Sequence, residues 1–387
     1  MLKLLQILDV TCGSGHGNLL RTIPMSRFYK ILLIALLMQL YNTTLFAKDF
    51  YLDSPRNKGT LRFEIDNDAI WDKDSNFTNG WSLQYHTVRY ATWEETRAPE
   101  FLKWVGNHFP TLADDNSIVR YGHGIGQNMI TPGDLTNSNP PEGDLPYAGT
   151  LTYTLNWQSF NERMARIFQV TAGILGSESL AEDFQKYVHN DLGLGIDPQG
   201  WDTLRKTEPV LNLAYAHVWR LVHVGNYTND WAGQMITGPA VYLGNLITGV
   251  DVALGFRFGW NIQEGFNSFP APPGYGFFAS TLLPKPSIAS PHSVELILAG
   301  RASGIIYSVL YDGSIITSDD RDVDREDFVF AGMIGLNYHY YNFFSIRLAL
   351  NHETNIINEE SLPQTQPDKD KTGTDNSFGT LMIDFHY

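Results

Sequence analysis

From Leu61 to Tyr387 the chain repeats one pattern: about ten residues in which apolar and polar side chains alternate, then a polar stretch rich in Gly, Pro, Asn and Asp. The alternating runs are the one opening at Leu61, Gly80 to Tyr90, Gly149 to Trp157, Ala165 to Leu175, Val210 to Val222, Ala253 to Ile262, Val294 to Tyr307, Asp327 to Tyr340, Phe344 to Asn351 and Ser377 to Tyr387. A period of two places alternate side chains on opposite faces of a strand. Runs of this length and period are expected of strands that cross an outer membrane, although each alone also suits a soluble sandwich. The last run favours the membrane. Leu381, Ile383, Phe385 and the terminal Tyr387 fall on one face, and Met382, Asp384 and His386 on the other. The segments number roughly ten to fourteen, and single-chain bacterial barrels have even strand counts. The pattern therefore predicts an all-β, antiparallel transmembrane β-barrel of about twelve strands.

The connections predicted to be long are 91–117, 131–146, 177–207, 263–293 and 352–376. One contains a different period. Ser177 to His189 reads as a short helix in an outer loop, with Ser179 as N-cap, Glu182 three residues on in the capping-box position, and Leu180, Phe184 and Val188 as its apolar face. Gln185 and His189 stand four residues apart, so both side chains can point at one place.

The first run departs from its pattern. After Leu61-Arg62-Phe63 it continues Glu64-Ile65-Asp66-Asn67-Asp68, and Asp and Asn are poor strand residues. Local rules tend to fail at functional sites, and these side chains are hard oxygen donors of the kind Ca²⁺ takes. The plainer reading makes the acids lumen polarity.

Composition narrows the class. The chain has 387 residues, aromatic residues make up 13%, Gly numbers 34 and charged residues are 18%, a mixture suited to strands, tight turns and aromatic girdles. After residue 48 nothing approaches the roughly 20 apolar residues of a spanning helix. Met25-Ser26-Arg27 and Lys30, then an apolar core from Ile31 to Leu40, then Leu45-Phe46-Ala47 before Lys48, read as a secretory signal peptide over 25–47. Residues 1–24 are expected to precede the true start at Met25, and 48–387 to form one outer-membrane domain. Without 1–47, which hold Lys3, Arg21, Arg27, Lys30 and Asp9, the remainder has 23 basic and 41 acidic residues, a net charge of −18. That balance argues against nucleic acid as a partner. The single cysteine, Cys12, lies in the segment expected to be removed, so no disulfide or thiol chemistry is expected of the mature protein.

A set of short motifs in a fixed order carries a resemblance: Asp66-Asn67-Asp68, Phe77-Thr78-Asn79-Gly80, Gly126-Gln127-Asn128 with Pro132, Pro146-Tyr147-Ala148-Gly149, and the stretch from Gly176 to Trp201 around Gln185 and His189. From about Gly59 to Arg220 the chain resembles the outer-membrane lipid A 3-O-deacylases, with weaker similarity to the end. The resemblance implies a twelve-stranded barrel with a site near the outer leaflet, lipid A or lipopolysaccharide as substrate, and Ca²⁺ with a histidine-activated water. It implies an esterase that removes the 3′-linked acyloxyacyl group. A monomer is expected.

The residues suit that chemistry. Ester hydrolysis needs a base for water and a positive centre for the oxyanion. His189 is the candidate base, because imidazole titrates near neutral pH. Asp68 is the candidate metal ligand. Asn67 and Thr78 are candidates to ligate the metal, hold water or orient substrate, and Gln185 to orient the base or the water. Asn128, Tyr147 and the remaining histidines read as packing or lumen residues. Two departures from the family pattern stand out. The loop Gly133 to Asn139 lacks the family's lysine, and Leu145 replaces the usual basic residue before Pro-Tyr-Ala-Gly. The family's metal-binding acid some six residues after the histidine is here Gly195, which makes Asp197 the next candidate ligand and Asp191 the second. A serine hydrolase is the rival enzyme, but the mature chain has no G-x-S-x-G motif and Ser82 has no evident partner. The non-enzymatic alternative is a barrel with a degenerate site that binds lipid or passes small solutes.

Overall fold

The computed structural model describes residues 48–68, 76–141, 143–191, 193, 195–267, 281–283, 290–317, 323–341, 343–357 and 376–387. The expected signal segment and start therefore lie outside the described residues. A short helix α1 (Lys48–Leu52) precedes the strands. These are β1 (Thr60–Asn67), β2 (Asn76–His86), β3 (Ile118–Thr131), β4 (Ala148–Phe160), β5 (Met164–Leu175), β6 (Glu208–Gly225), β7 (Trp231–Gly244), β8 (Thr248–Trp260), β9 (Gly265–Phe266), β10 (Thr281–Leu282), β11 (His292–Tyr307), β12 (Phe328–Tyr340), β13 (Phe344–Glu353) and β14 (Asn376–His386). Helix α2 (Glu100–His108) lies between β2 and β3, and helix α3 (Ala181–Lys186) between β5 and β6.

Twelve strands close into one antiparallel barrel, as expected, and β9 and β10 form a separate hairpin between β8 and β11. The seam joins β1 to β14, from Thr60 opposite His386 to Asn67 opposite Gly379. Closure leaves no edge strand.

Two of the barrel strands escaped the list of alternating runs. Strand β3 is rich in glycine, with Gly122, Gly124 and Gly126 on one face, so half its alternation is invisible. Strand β7 contains Pro239, which lacks the N–H that a ladder needs. Its pairing with β6 runs from Asn212 to Ala216 and resumes with Trp219 opposite Thr237, while the partner on its other side, β8, meets Pro239 at Val252.

The two faces are chemically opposed. On β8, Val250, Val252, Leu254, Phe256 and Phe258 are all exposed. Val294, Leu296 and Leu298 of β11 and Leu348 and Leu350 of β13 continue the same belt. Such a surface would be an aggregation hazard in water and is what a barrel presents to lipid. Inside, several charges meet opposite charges: Arg62 grips Asp384 through Nε at 2.7 Å and Nη2 at 2.9 Å, Arg257 meets Glu295 at 3.1 Å, and Arg301 lies between Asp251 and Glu353. Burying a charge is tolerable only with such partners. In β14, Met382 and Asp384 are buried while Phe385 and Tyr387 are exposed, as the alternation predicts.

That parity revises the reading of the polar run in β1. Leu61, Phe63 and Ile65 keep an unbroken outward alternation, while Arg62, Glu64 and Asp66 take the inward positions. Asp66 accepts a hydrogen bond from Thr380 across the seam, which makes it lumen polarity. Only Asn67 puts a polar group where the outward pattern calls for an apolar one.

Candidate active site on the outer wall

The ends of β1, β3 and β5 and the starts of β2, β4 and β6 meet at the end of the barrel opposite Gly59 and Tyr387. Here the outward row runs from Asn67 through its neighbour Asn79 to Met129, and from Trp81 to Gln127. The register of β2 shifts between Phe77 and Asn79, so Thr78 is the extra residue of a β-bulge. Bulges are common beside active sites. Thr78 is therefore part of a strand and not a turn.

Helix α3 is docked on this outward row. Gly149 is in contact with it: a Cβ there would lie 2.2 Å from the Cβ of Ala181 and 2.5 Å from Ser179 Oγ. Phe184 packs on Trp81, with ring centroids 6.4 Å apart. The Trp81 indole donates to Gln127 Oε1 (3.0 Å), and Gln127 Nε2 donates to the Ser179 carbonyl (2.6 Å). Beneath lies a small apolar cluster of Met129, Leu135, Tyr147, Ala181 and Trp201. Tyr147 is fully buried and its ring sits 4.8 Å from that of Trp201, so the Pro-Tyr-Ala-Gly motif is the platform of the helix. The packing role expected for Tyr147 holds.

The helix itself differs from its sequence reading. Leu180, not Ser179, precedes it, in the left-handed conformation (φ 60°) and with its side chain exposed. Ser179 is buried in the preceding turn, and Glu182 pairs with Lys186 at 2.6 Å instead of closing a capping box. The covered face is Ala181, Gln185 and His189, while Leu180 and Tyr187 are exposed. Wider π-type turns over Tyr187–Asp191 follow the helix and carry His189; such local widening recurs at functional sites.

Gln185 is 1% exposed. Its Oε1 accepts from the Trp201 indole at 2.7 Å, which fixes the amide so that Nε2 is its donor end, and this Nε2 is buried without a hydrogen-bond partner. A buried donor left unsatisfied is costly and needs a reason. His189 Nδ1 lies 2.6 Å from the Ile196 carbonyl, which can only accept. That contact puts the proton on Nδ1 and the lone pair on Nε2. The imidazole rests flat on Gly195, where a Cβ would be 2.7–2.8 Å from three ring atoms. The glycine at the family's acid position is thus what makes room for the ring.

The remaining candidates lie around this core. Asp68, one residue past β1, is buried. Asp197 is exposed and both its oxygens are occupied: Asn190 Nδ2 donates to Oδ1 and Gln199 Nε2 to Oδ2, each at 2.6 Å. Gln199 N–H in turn donates to Leu135 O at 2.9 Å, so Asp197 straps the loop beside His189 to the loop after β3. Among the described residues no three His, Cys, Asp or Glu side chains gather into a metal site.

Sequence reasoning did not single out Trp81, Trp201 or Asp144. Asp144 holds the loop after β3, accepting from Leu145 N–H at 2.8 Å and Gly133 N–H at 3.3 Å. Burial pushes its carboxyl above the usual range, and the two N–H donors only partly offset that. Gln127 stood in a quoted motif, but nothing in its neighbours hinted that it would hold a helix.

A lipid-facing belt, a polar lumen and a closed twelve-strand sheet define an outer-membrane β-barrel. The model of the family described as Outer membrane protein LpxR matches residues 31–367, and the chain belongs to that family. Its fold resembles LpxR from Salmonella typhimurium at 14% identity, covering 85% of this chain and 100% of that one, with a TM-score of 0.63. More distant barrels are also similar: the β domain of the Bordetella autotransporter BrkA (7% identity, 85% and 97% coverage, TM-score 0.37) and the Pseudomonas putida toluene transporter TodX (9%, 88% and 93%, 0.31). No curated protein sequence matches the chain.

Proposed function

We propose that the protein is a lipid A 3-O-deacylase: an esterase that removes the 3′-linked acyloxyacyl group by attack of a water activated by His189. The observation that carries this reading is the covered polar face of α3, with Gln185 and His189 held against the lipid-facing side of the barrel wall and not in the lumen. A substrate that is itself a membrane amphiphile reaches such a place without leaving the bilayer. In this reading the barrel end that holds Gly59 and Tyr387 faces the periplasm, and the site at the opposite end meets the outer leaflet, where lipopolysaccharide resides.

In this reading His189 Nε2 takes the proton of the attacking water, and the Nδ1–H bond to Ile196 O holds the ring and its tautomer. The unpartnered Nε2 donors of Gln185 meet the developing oxyanion, a task for which preorganised donors are effective. They stand in for the lysine missing from Gly133 to Asn139. Asn67 supplies a side-chain amide from the outward row, and Thr78, on its bulge, helps position the substrate.

Calcium enters the proposal only as an ion that Asp68 would ligate. The donors suit Ca²⁺ in kind, but the described residues do not assemble a site for it, and Asp197 would have to release Asn190 and Gln199 to join. No step is therefore routed through the ion, whose chemistry when bound would be to polarise the acyl carbonyl.

The test is mass spectrometry of lipid A from membranes bearing the wild-type protein or His189→Ala, with and without a chelator. Loss of the 3′-linked acyl groups with the wild type alone is expected. Unchanged lipid A with a correctly folded wild-type barrel refutes the enzyme and leaves a degenerate, lipid-binding barrel. Activity that survives chelation removes calcium from the reading and keeps His189. Full activity of His189→Ala removes the base.

A further inference from the structure

At the end of the lumen that holds Gly59 and Tyr387, cations outnumber acids among the described residues. There a cavity of about 40 Å³ opens among Arg56, Lys58, Arg62, Arg89 and Arg120. Among the described residues lining it the only acid is Asp384, and that acid already takes two hydrogen bonds from Arg62. Arg62 is 2% exposed, and its third nitrogen, Nη1, is buried with no hydrogen-bond partner. Arg120 is equally deep and spends its Nε on the neutral Gln158 (2.6 Å). Arg89 spends its fork on backbone carbonyls of Leu282 and Lys58. Carbonyl and amide oxygens satisfy donors without cancelling charge. An excess of cations in a site largely withdrawn from water is expensive unless an anion answers it.

We infer that this cavity is an anion-binding site for a phosphate group, separate from the candidate active site at the other end of the barrel. The volume would hold roughly three waters, the scale of one tetrahedral oxyanion. Guanidinium forks suit phosphate oxygens by geometry as well as charge. The layer lies at the first residue of β1, Thr60, and the last of β14, His386, both of which line it. A bound anion would therefore sit across the seam that closes the barrel.

The experiment uses the full chain folded in neutral detergent and titrated with inorganic phosphate at constant ionic strength, chloride being the balancing anion. Calorimetry and the thermal midpoint are read together. Saturable binding to the wild type is expected, about tenfold or more weaker in Arg120→Gln, and unchanged in Lys103→Gln on α2, which does not line the cavity. Should Arg120→Gln not fold, Lys58→Gln at the cavity mouth replaces it, with the same weakening expected. A second arm uses micelles doped with phosphatidic acid: tighter binding there than to inorganic phosphate assigns a lipid headgroup, and equal or weaker binding assigns the free anion. Absence of saturable binding in both arms, or equal affinity in the wild type and the folded cavity variant, overturns the inference. Lipid A deacylation is not measured in either arm, so the result does not depend on the esterase reading.

Discussion

Gly195→Ala is the sharpest perturbation of the proposed site. The added Cβ would stand 2.7 Å from His189 Cγ and 2.8 Å from Cδ2 and Cε1. Ordinary contact begins near 3.4 Å, so the ring must retreat by roughly 0.7 Å, a displacement of the size at which misplaced groups cost up to about a hundredfold in rate. The ring cannot retreat freely, because Nδ1 is anchored to Ile196 O at 2.6 Å and the neighbouring loop is strapped by Asp197 to Asn190 and Gln199. Forcing one extra methyl group into such packing costs about 1–3 kcal/mol, paid locally, with the barrel intact. The expected outcome is deacylation slowed by about 10- to 100-fold, with heat-modifiable electrophoretic mobility unchanged. The His189 Nδ1–H resonance, read by nitrogen NMR, should weaken or move in the same variant. Wild-type turnover together with an unmoved imidazole signal in Gly195→Ala would refute the packing argument. An altered signal with unaltered turnover would instead remove His189 from the chemistry. The same geometry predicts that Gly195→Asp, which restores the family's acid, does not create a metal ligand without first displacing the base.

Three further outcomes follow from other contacts. Trp201→Phe removes the donor that fixes Gln185 Oε1 and should cost about 1–2 kcal/mol of loop stability, read as faster limited proteolysis within 176–207, with turnover falling while the barrel remains folded. Gly149→Val drives a side chain into Ala181 and Ser179 and should lift α3 from the wall, abolishing deacylation; a folded variant with full activity would count against the docking. Asp114→Asn tests a surface-end pair: burial raises the Asp114 carboxyl, but the Asn116 N–H, Arg166 (2.8 Å) and Ser117 outweigh it and hold it below the usual range. A depressed folded value stabilises above the unfolded one and is lost as pH falls through the folded one, so the variant should be less stable at pH 7 by under about 1 kcal/mol. Its deficit should close below about pH 4 in parallel urea titrations, and a deficit independent of pH would reject the ionic account.

What the sequence by itself determined is the wall of the barrel. A period of two, repeated in segments of membrane-crossing length, leaves a strand no choice of face once one side is lipid, and the assignments in β14 came out residue by residue. The same rule corrects the reading of β1: Glu64 and Asp66 are not a break in the pattern but its inward half, and only Asn67 departs from it. Where side chains are absent or the ladder is interrupted, as at the glycines of β3 and Pro239 of β7, the alternation falls silent although the strand exists. The motifs around Gln185 and His189 were legible as a set, because residue types four apart on a helix share a side.

Which side is covered was decided only by the tertiary structure. In a water-soluble protein the apolar stripe of Leu180, Phe184 and Val188 would be the buried one. Here the helix lies at a lipid-facing wall, where apolar surface need not be hidden: Leu180 stays exposed, Phe184 is only half-buried against Trp81, and Gly149, Trp201 and Gly195 receive Ala181, Gln185 and His189. The hydrophobic effect orders a helix by expelling apolar groups from water; next to a bilayer that drive loses its direction, and steric fit and hydrogen bonds choose instead. The occupied oxygens of Asp197, the orphaned donor of Gln185 and the ring resting on Gly195 could not be read from spacing either: each depends on how the irregular loop between β5 and β6 folds back on itself once α3 is docked on the wall.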